Sequence, residues 1–231
     1  MSELTGKAVV VIGRGSGIAR AVALRARAEG ARVVVAGRDA ARLAGAYRDE
    51  PGISAATVDL TDDVSIEAFA GGIGPVDHVV STVSARARGR IGELSREAVR
   101  QSFDTKVIGP LMLARHLVGR INSGGSLVLF SGVNAFKVNV GYLGVAITNG
   151  AVDFLTRSLA VELAPVRVNA ISPGVVDTGI WDPAYLEKQA AENPARRVGT
   201  AEDIASAVLF AMTNTFLTGV TLKVDGGEPL T

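Results

Sequence analysis

The chain predicts an α/β fold, a doubly wound parallel sheet of about seven strands with helices on both faces. Three observations lead there. Short, β-branched apolar runs alternate with helical stretches along the 231 residues, a spacing that implies right-handed βαβ units. The first run, Ala8 to Ile12, passes through glycines 13, 15 and 17 into an amphipathic stretch reaching Glu29. A composition of 48% hydrophobic and 20% charged residues suffices for one domain with a sizeable core, here residues 1–231 as a unit.

Taken in order, Ala8 to Ile12 suits a central parallel strand covered on both faces. A second strand is predicted from Arg32 to Ala36, then Gly37-Arg38-Asp39 and a helix from about Ala40 to Tyr47, broken by Pro51-Gly52. Ile53 to Val58 reads as the third strand, with Asp59-Leu60-Thr61-Asp62 capping the helix after it. Gly71-Gly72 and Gly74-Pro75 form a loop before a fourth strand, Asp77 to Ser81. A long helix is expected over roughly Arg96 to Arg120, with Pro110 as a candidate kink. The fifth strand is Ser126 to Phe130, and a second long helix ends near Leu163. Arg167 to Ile171 follows as the sixth strand, closed by Ser172-Pro173-Gly174. Trp181 to Arg197 reads as less regular, before a helix over Ala201 to Met212 and a last strand, Thr221 to Val224.

The formal net charge of +1 gives no strong pull towards nucleic acid or acidic membranes. Cysteine is absent and there are two histidines, too few for a thiolate or histidine metal site, so no metal is expected. No apolar run approaches the roughly 20 residues of a membrane span. The first strand begins almost at once, with no basic, apolar and small-residue leader, which makes a cytoplasmic location the expectation.

Glycines in the first turn let the backbone approach a bound group closely, and the helix after them aims its unpaired N–H groups at that group. The strand–turn–helix context reads as a pyrophosphate cradle. In a doubly wound sheet the ligand lies outside the carboxyl ends of the strands. The residues expected there are Gly13 to Gly17, Arg38, Asp59, Ser81 to Ser84, Ser131-Gly132 and Ser172 to Thr178.

Val11-Ile-Gly-Arg-Gly-Ser-Gly-Ile-Ala19 resembles the Thr-Gly-x-x-x-Gly-Ile-Gly turn of the short-chain dehydrogenases/reductases, with Ile12 and Ala19 as departures. Thr156 to Leu163, Arg167 to Thr178 and Val224-Asp-Gly-Gly227 are also close to that family's pattern, so the resemblance covers nearly the whole chain. It implies a Rossmann-like domain with a substrate lid at about 175–198, a small-molecule substrate and NADP(H). It places Gly13, Arg14, Gly15, Ser16, Gly17 and Ile18 at the pyrophosphate, and Asp59 and Leu60 at the adenine. Ser81, Thr82, Val83, Pro173, Gly174, Val176 and Thr178 complete the cofactor side. Arg38 stands where NAD-preferring members carry an acidic residue, and its planar fork suits a 2′-phosphate. Pairing through the two long helices, as a homodimer or homotetramer, is a further implication.

The family's Ser, Tyr, Lys and Asn do not carry over. Aligned without gaps, the Ser position holds Gly132, the Tyr position Val145, the Lys position Asn149 and the Asn position Lys106. Lysine and asparagine have thus traded places. Tyr142, three residues before Val145, lies on nearly the same helix face. Its spacing to Asn149 is similar to the Tyr-x-x-Met-x-x-x-Lys pattern of the enoyl-acyl-carrier-protein reductases. The working expectation is a reductase of a carbonyl or conjugated alkene, with Tyr142 as proton donor and Lys106 and Asn149 in support. Lys137, Ser131 and Ser84 are weaker candidates, and His78 and His116 read as packing or surface residues. The alternatives are a catalytically silent NADP(H)-binding homologue acting as sensor or partner subunit, or a non-redox biosynthetic enzyme on the same fold.

Overall fold

A computed structural model describes residues 3–231. The strands are β1 Ala8–Ile12, β2 Arg32–Gly37, β3 Ile53–Thr57, β4 Val76–Ser81, β5 Ile121–Phe130, β6 Arg167–Pro173, β7 Val176–Asp177, β8 Gly199–Thr200 and β9 Thr221–Val224. The α-helices are α1 Gly17–Ala28, α2 Ala40–Ala46, α3 Asp63–Gly72, α4 Arg96–Phe103, α5 Gly109–Leu117, α6 Leu143–Glu162, α7 Pro183–Glu192 and α8 Ala201–Thr213. Seven strands form one sheet in the order β3-β2-β1-β4-β5-β6-β9, every pair parallel. The expected doubly wound sheet is present, and chain direction across it reverses between β1 and β4.

Strand alternation explains why β1 is apolar throughout. Val9 and Val11 pack into one layer with Val22, Ala23 and Ala26 of α1 and Ile204, Val208 and Met212 of α8. Val10 and Ile12 pack into the other, with Ile66 and Phe69 of α3, Leu113 and Leu117 of α5, and Val152 and Leu159 of α6. A strand covered on both faces has no side to leave polar. Each fully buried Val or Leu contributes about 1.5–3 kcal/mol to holding the strands between the two helix layers.

Three expectations need correction. The long helix over Arg96 to Arg120 is two helices joined by a π-helical turn, Asp104–Ile108, and it ends at Leu117. The Gly109 N–H donates to the Asp104 carbonyl, five residues back. Pro110 at the start of α5 has no N–H with which to restore the ordinary ladder. Gly109 also packs against Leu60, leaving a Cβ only 2.8 Å from the Leu60 Cβ. The fifth strand starts five residues early, at Ile121, through a register shift opposite Val76 and His78. The segment from Trp181 to Arg197 holds α7, capped by the Asp182 carboxylate, which accepts from the N–H groups of Ala184 and Tyr185. Asp182-Pro183, an N-cap followed by proline at the first helical position, is the local signal for this helix.

Candidate functional site

The candidate residues gather at the carboxyl ends of the strands, where a doubly wound sheet takes its ligand. Gly15 (φ 73°) and Gly17 (φ 54°) adopt left-handed conformations that a side chain would strain. Gly13 is needed for close packing: a Cβ there would run into the Thr82 hydroxyl and sit 2.7 Å from the Ala19 Cβ. Thr82 is itself fixed, its Oγ1 donating to the Ile12 carbonyl at 2.9 Å. Ser16 caps α1 in an extended conformation without a side-chain capping bond, and the first turn of α1 carries no acid. The N–H groups of that turn therefore point to the cleft without an anionic partner from the chain. Thr178 comes back over the turn, 3.1 Å from where a Gly17 Cβ would stand.

Arg38 is exposed at the end of β2, within electrostatic reach of Asp59. Partial burial acts to raise Asp59, but hydrogen bonds from the Thr61 N–H and hydroxyl, together with Arg38, outweigh it and hold the carboxyl below its ordinary range. Leu60, Ser81 and Val176 are buried, and the Ser81 hydroxyl has no partner among the described residues. What they offer a ligand is backbone. Arg14 is exposed, and Ile18, Val83, Pro173 and Gly174 are partly so. The Pro173–Val175 corner is pinned from the far end of the chain, where Glu228 Oε2 accepts from the Val175 N–H at 3.1 Å. Burial above all, and Asp225 in addition, raise the Glu228 carboxyl against the Val175 bond and Lys137.

Behind the cradle, the exchanged lysine and asparagine meet. Lys106, in the π turn, is 7% exposed, and its ammonium donates to the Ser131 carbonyl (2.9 Å) and to Asn149 Oδ1. The Asn149 amide donates in turn to the Gly132 carbonyl at 3.3 Å, and Ser131 Oγ donates to the Asn149 carbonyl at 3.0 Å. Gly132 makes room for this: a Cβ there would lie 2.9 Å from Asn149 Nδ2. Burial first, and then the Arg86 guanidinium, push the Lys106 amine down to about 7, against the opposing pull of Asp153.

Tyr142 is the residue before α6, with the Arg88 guanidinium 4.9 Å from the centre of its ring. Arg88 and Arg86 also lie over Trp181, at 5.9 and 5.6 Å, and Trp181 stacks on Tyr185. Among the described residues no hydrogen bond joins Lys106 to Tyr142. The cations beside the phenol are Arg88 and Arg86, neither among the candidates the sequence offers. Their signal is the alternation Arg86-Ala-Arg88 in the loop after β4. The described residues hold no group of side chains suited to a metal ion.

A family profile described as Enoyl-(Acyl carrier protein) reductase matches residues 12–228. The chain is 33% identical to L-xylulose reductase of Bos taurus, over 97% of each chain. It is 30% identical to carbonyl reductase [NADPH] 2 of Sus scrofa, again over 97% of each. One solved structure, titled a short chain dehydrogenase/reductase family protein, superposes with a TM-score of 0.87 at 36% identity, covering 99% of this chain and all of the other.

The chain belongs to the short-chain dehydrogenase/reductase family. Another solved structure, titled a small-chain dehydrogenase in complex with NADPH, superposes at a TM-score of 0.85 with 31% identity, covering 98% of this chain and all of the other. Within this short-chain dehydrogenase/reductase chain, Lys137 donates to the Glu228 carbonyl at 3.1 Å and is tied to the C-terminal segment. Ser131 points its hydroxyl into α6. His78 is buried, its Nδ1 2.9 Å from Ser126 Oγ, and burial above all brings it down to about 4, as a packing residue requires.

Proposed function

We propose that the chain is an NADP(H)-dependent oxidoreductase that reduces a carbonyl or conjugated alkene in a small molecule. The observation that carries this reading is the glycine turn, open to an anion and leading to Arg38 at the end of β2. A bound NADPH supplies hydride. The turn N–H groups hold the pyrophosphate and the Arg38 fork the 2′-phosphate, while Thr178 and the corner held by Glu228 close over them. Tyr142 gives its phenolic proton to the oxyanion that develops on the substrate, and Arg88 and Arg86 offer positive charge to the phenolate left behind. Lys106 and Asn149 act as positioning residues, fixing the Ser131–Gly132 backbone and the start of α6.

The silent-homologue reading is supported by one feature: the Lys106 ammonium is engaged by Asn149 and Ser131, and the neighbouring Gly132 offers no hydroxyl. Titration with NADPH and NADH, followed by a panel of ketones and enones with wild type and Tyr142→Phe, separates the two. NADPH binding with turnover that Tyr142→Phe removes supports the reductase. NADPH binding with no turnover on the panel supports the silent homologue, and binding of neither cofactor sinks both. Self-association through α5 and α6 belongs to the same proposal. Leu111, Ile147, Phe154 and Val161 are exposed there, and light scattering reads the outcome directly.

A further inference from the structure

The loop after β4 is held like a strand with one face packed and the other presented. Ala85 accepts at its carbonyl from the Ser102 hydroxyl (2.9 Å), and the Gly89 N–H donates to the Gly141 carbonyl (2.9 Å). Ala87, between them, is 1% exposed and lies so close to Gly144 of α6 that a Cβ there would stand 2.7 Å away. With 85, 87 and 89 fixed against the protein, the residues between them project the other way, and these are Arg86 and Arg88. Both guanidinium groups lie over the Trp181 ring just before α7, and Arg88 also covers Tyr142.

Neither arginine has a carboxylate partner among the described residues, whereas the exposed Arg197 finds Asp203 and Arg27 finds Glu50. Arg86 is exposed by surface area but crowded by its neighbours: partial desolvation first, then Arg88 and Arg14, disfavour its charge, with Tyr142 and Tyr185 opposing. Two like charges on a pinned loop, set over aromatic faces and paired with no carboxylate among the described residues, suit recognition of an anion. The position matters, because these arginines lie beside Tyr142 and Trp181. Arg38 stands apart, at the end of β2 beside Asp59.

We propose that Arg86 and Arg88 form a subsite for an anionic group on the substrate, so that the molecule reduced carries a carboxylate or phosphate near its reactive carbonyl or alkene. The inference rests on the reductase reading for what is done to that molecule, but the subsite is measurable without turnover. Trp181 is the single tryptophan of the chain and lies under both guanidinium groups, so its emission reports on them. The protein saturated with NADP+ is titrated with two matched pairs: acetoacetate against methyl acetoacetate, and dihydroxyacetone phosphate against dihydroxyacetone. The expected result is that at least one anionic member binds about tenfold more tightly than its neutral partner, as charge-assisted bonds require. Which pair shows the preference decides between carboxylate and phosphate. The Arg86→Gln/Arg88→Gln double variant loses it, and the Arg86→Lys/Arg88→Lys variant keeps part of it. Equal binding within both pairs in the wild type, or a preference that survives the double glutamine variant, overturns the subsite. The reductase reading is judged separately, by NADPH consumption across the ketone and enone panel. Turnover without anion preference removes the subsite alone, and anion preference without turnover removes the reductase reading alone.

Discussion

Raising the pH from about 7 to about 9.5 should stabilise the ligand-free protein, and Lys106→Met should abolish that gain. The Lys106 amine sits at about 7 in the folded protein against 10.5 when free, because burial and Arg86 disfavour its charge. Its folded value is the lower one, so between the two values the unfolded chain holds the extra proton. The penalty for burying the cation is complete below pH 7 and fades as pH rises towards 10.5. At about 1.4 kcal/mol per unit, the gain from about pH 7 to about 9.5 is about 3 kcal/mol. Methionine removes the titration but strands two acceptors, Asn149 Oδ1 and the Ser131 carbonyl, at a cost of about 1–3 kcal/mol each. At pH 7 the lost bonds and the relieved charge roughly offset, and at high pH the variant is clearly the less stable. Urea unfolding midpoints at the two pH values, for both proteins, give the comparison. A wild type with no more pH dependence than Lys106→Met would show that the ammonium is not desolvated, and the account of the Lys106–Asn149 pair would fall with it.

Arg38→Asp should weaken NADPH binding by about tenfold or more while sparing NADH, read by titration of Trp181 emission; equal losses for both cofactors would point to misfolding. Gly13→Ala should cost about 1–3 kcal/mol, because its methyl meets Ala19 and the Thr82 hydroxyl, and it should also close the cradle to NADPH. Thermal melts and the same titration check both parts. His78 is depressed from 6.5 to about 4, so it contributes stability that is present above 6.5 and lost as pH falls towards 4. Between about pH 7 and about 5 the loss should be about 2 kcal/mol, and His78→Gln should flatten that limb of the urea-midpoint profile.

The cradle was legible because its requirements are local. Gly13, Gly15 and Gly17 follow a strand and open a helix within one short stretch, and their conformations depend on little else. The strands were legible for a similar reason, since a strand covered on both faces must be apolar at every position, as Val9 to Ile12 are. The exchange of lysine and asparagine was readable as two substitutions. That Lys106 and Asn149 bond each other depended on a π turn set by Pro110 and Gly109, and the backbone ladder leaves only a faint trace in sequence.

By itself, then, the sequence determined the order and type of the elements, the anion cradle and the arginine at its edge, because periodicity, glycine and charge act over neighbouring residues. Only the tertiary structure decided which cations face Tyr142. Arg86 and Arg88 reach it because Ser102 of α4 and the stretch Gly141 to Gly144 at the start of α6, two other places in the chain, pin the loop between them. Contacts between residues distant along the chain are set by how the layers pack, and that no single stretch contains.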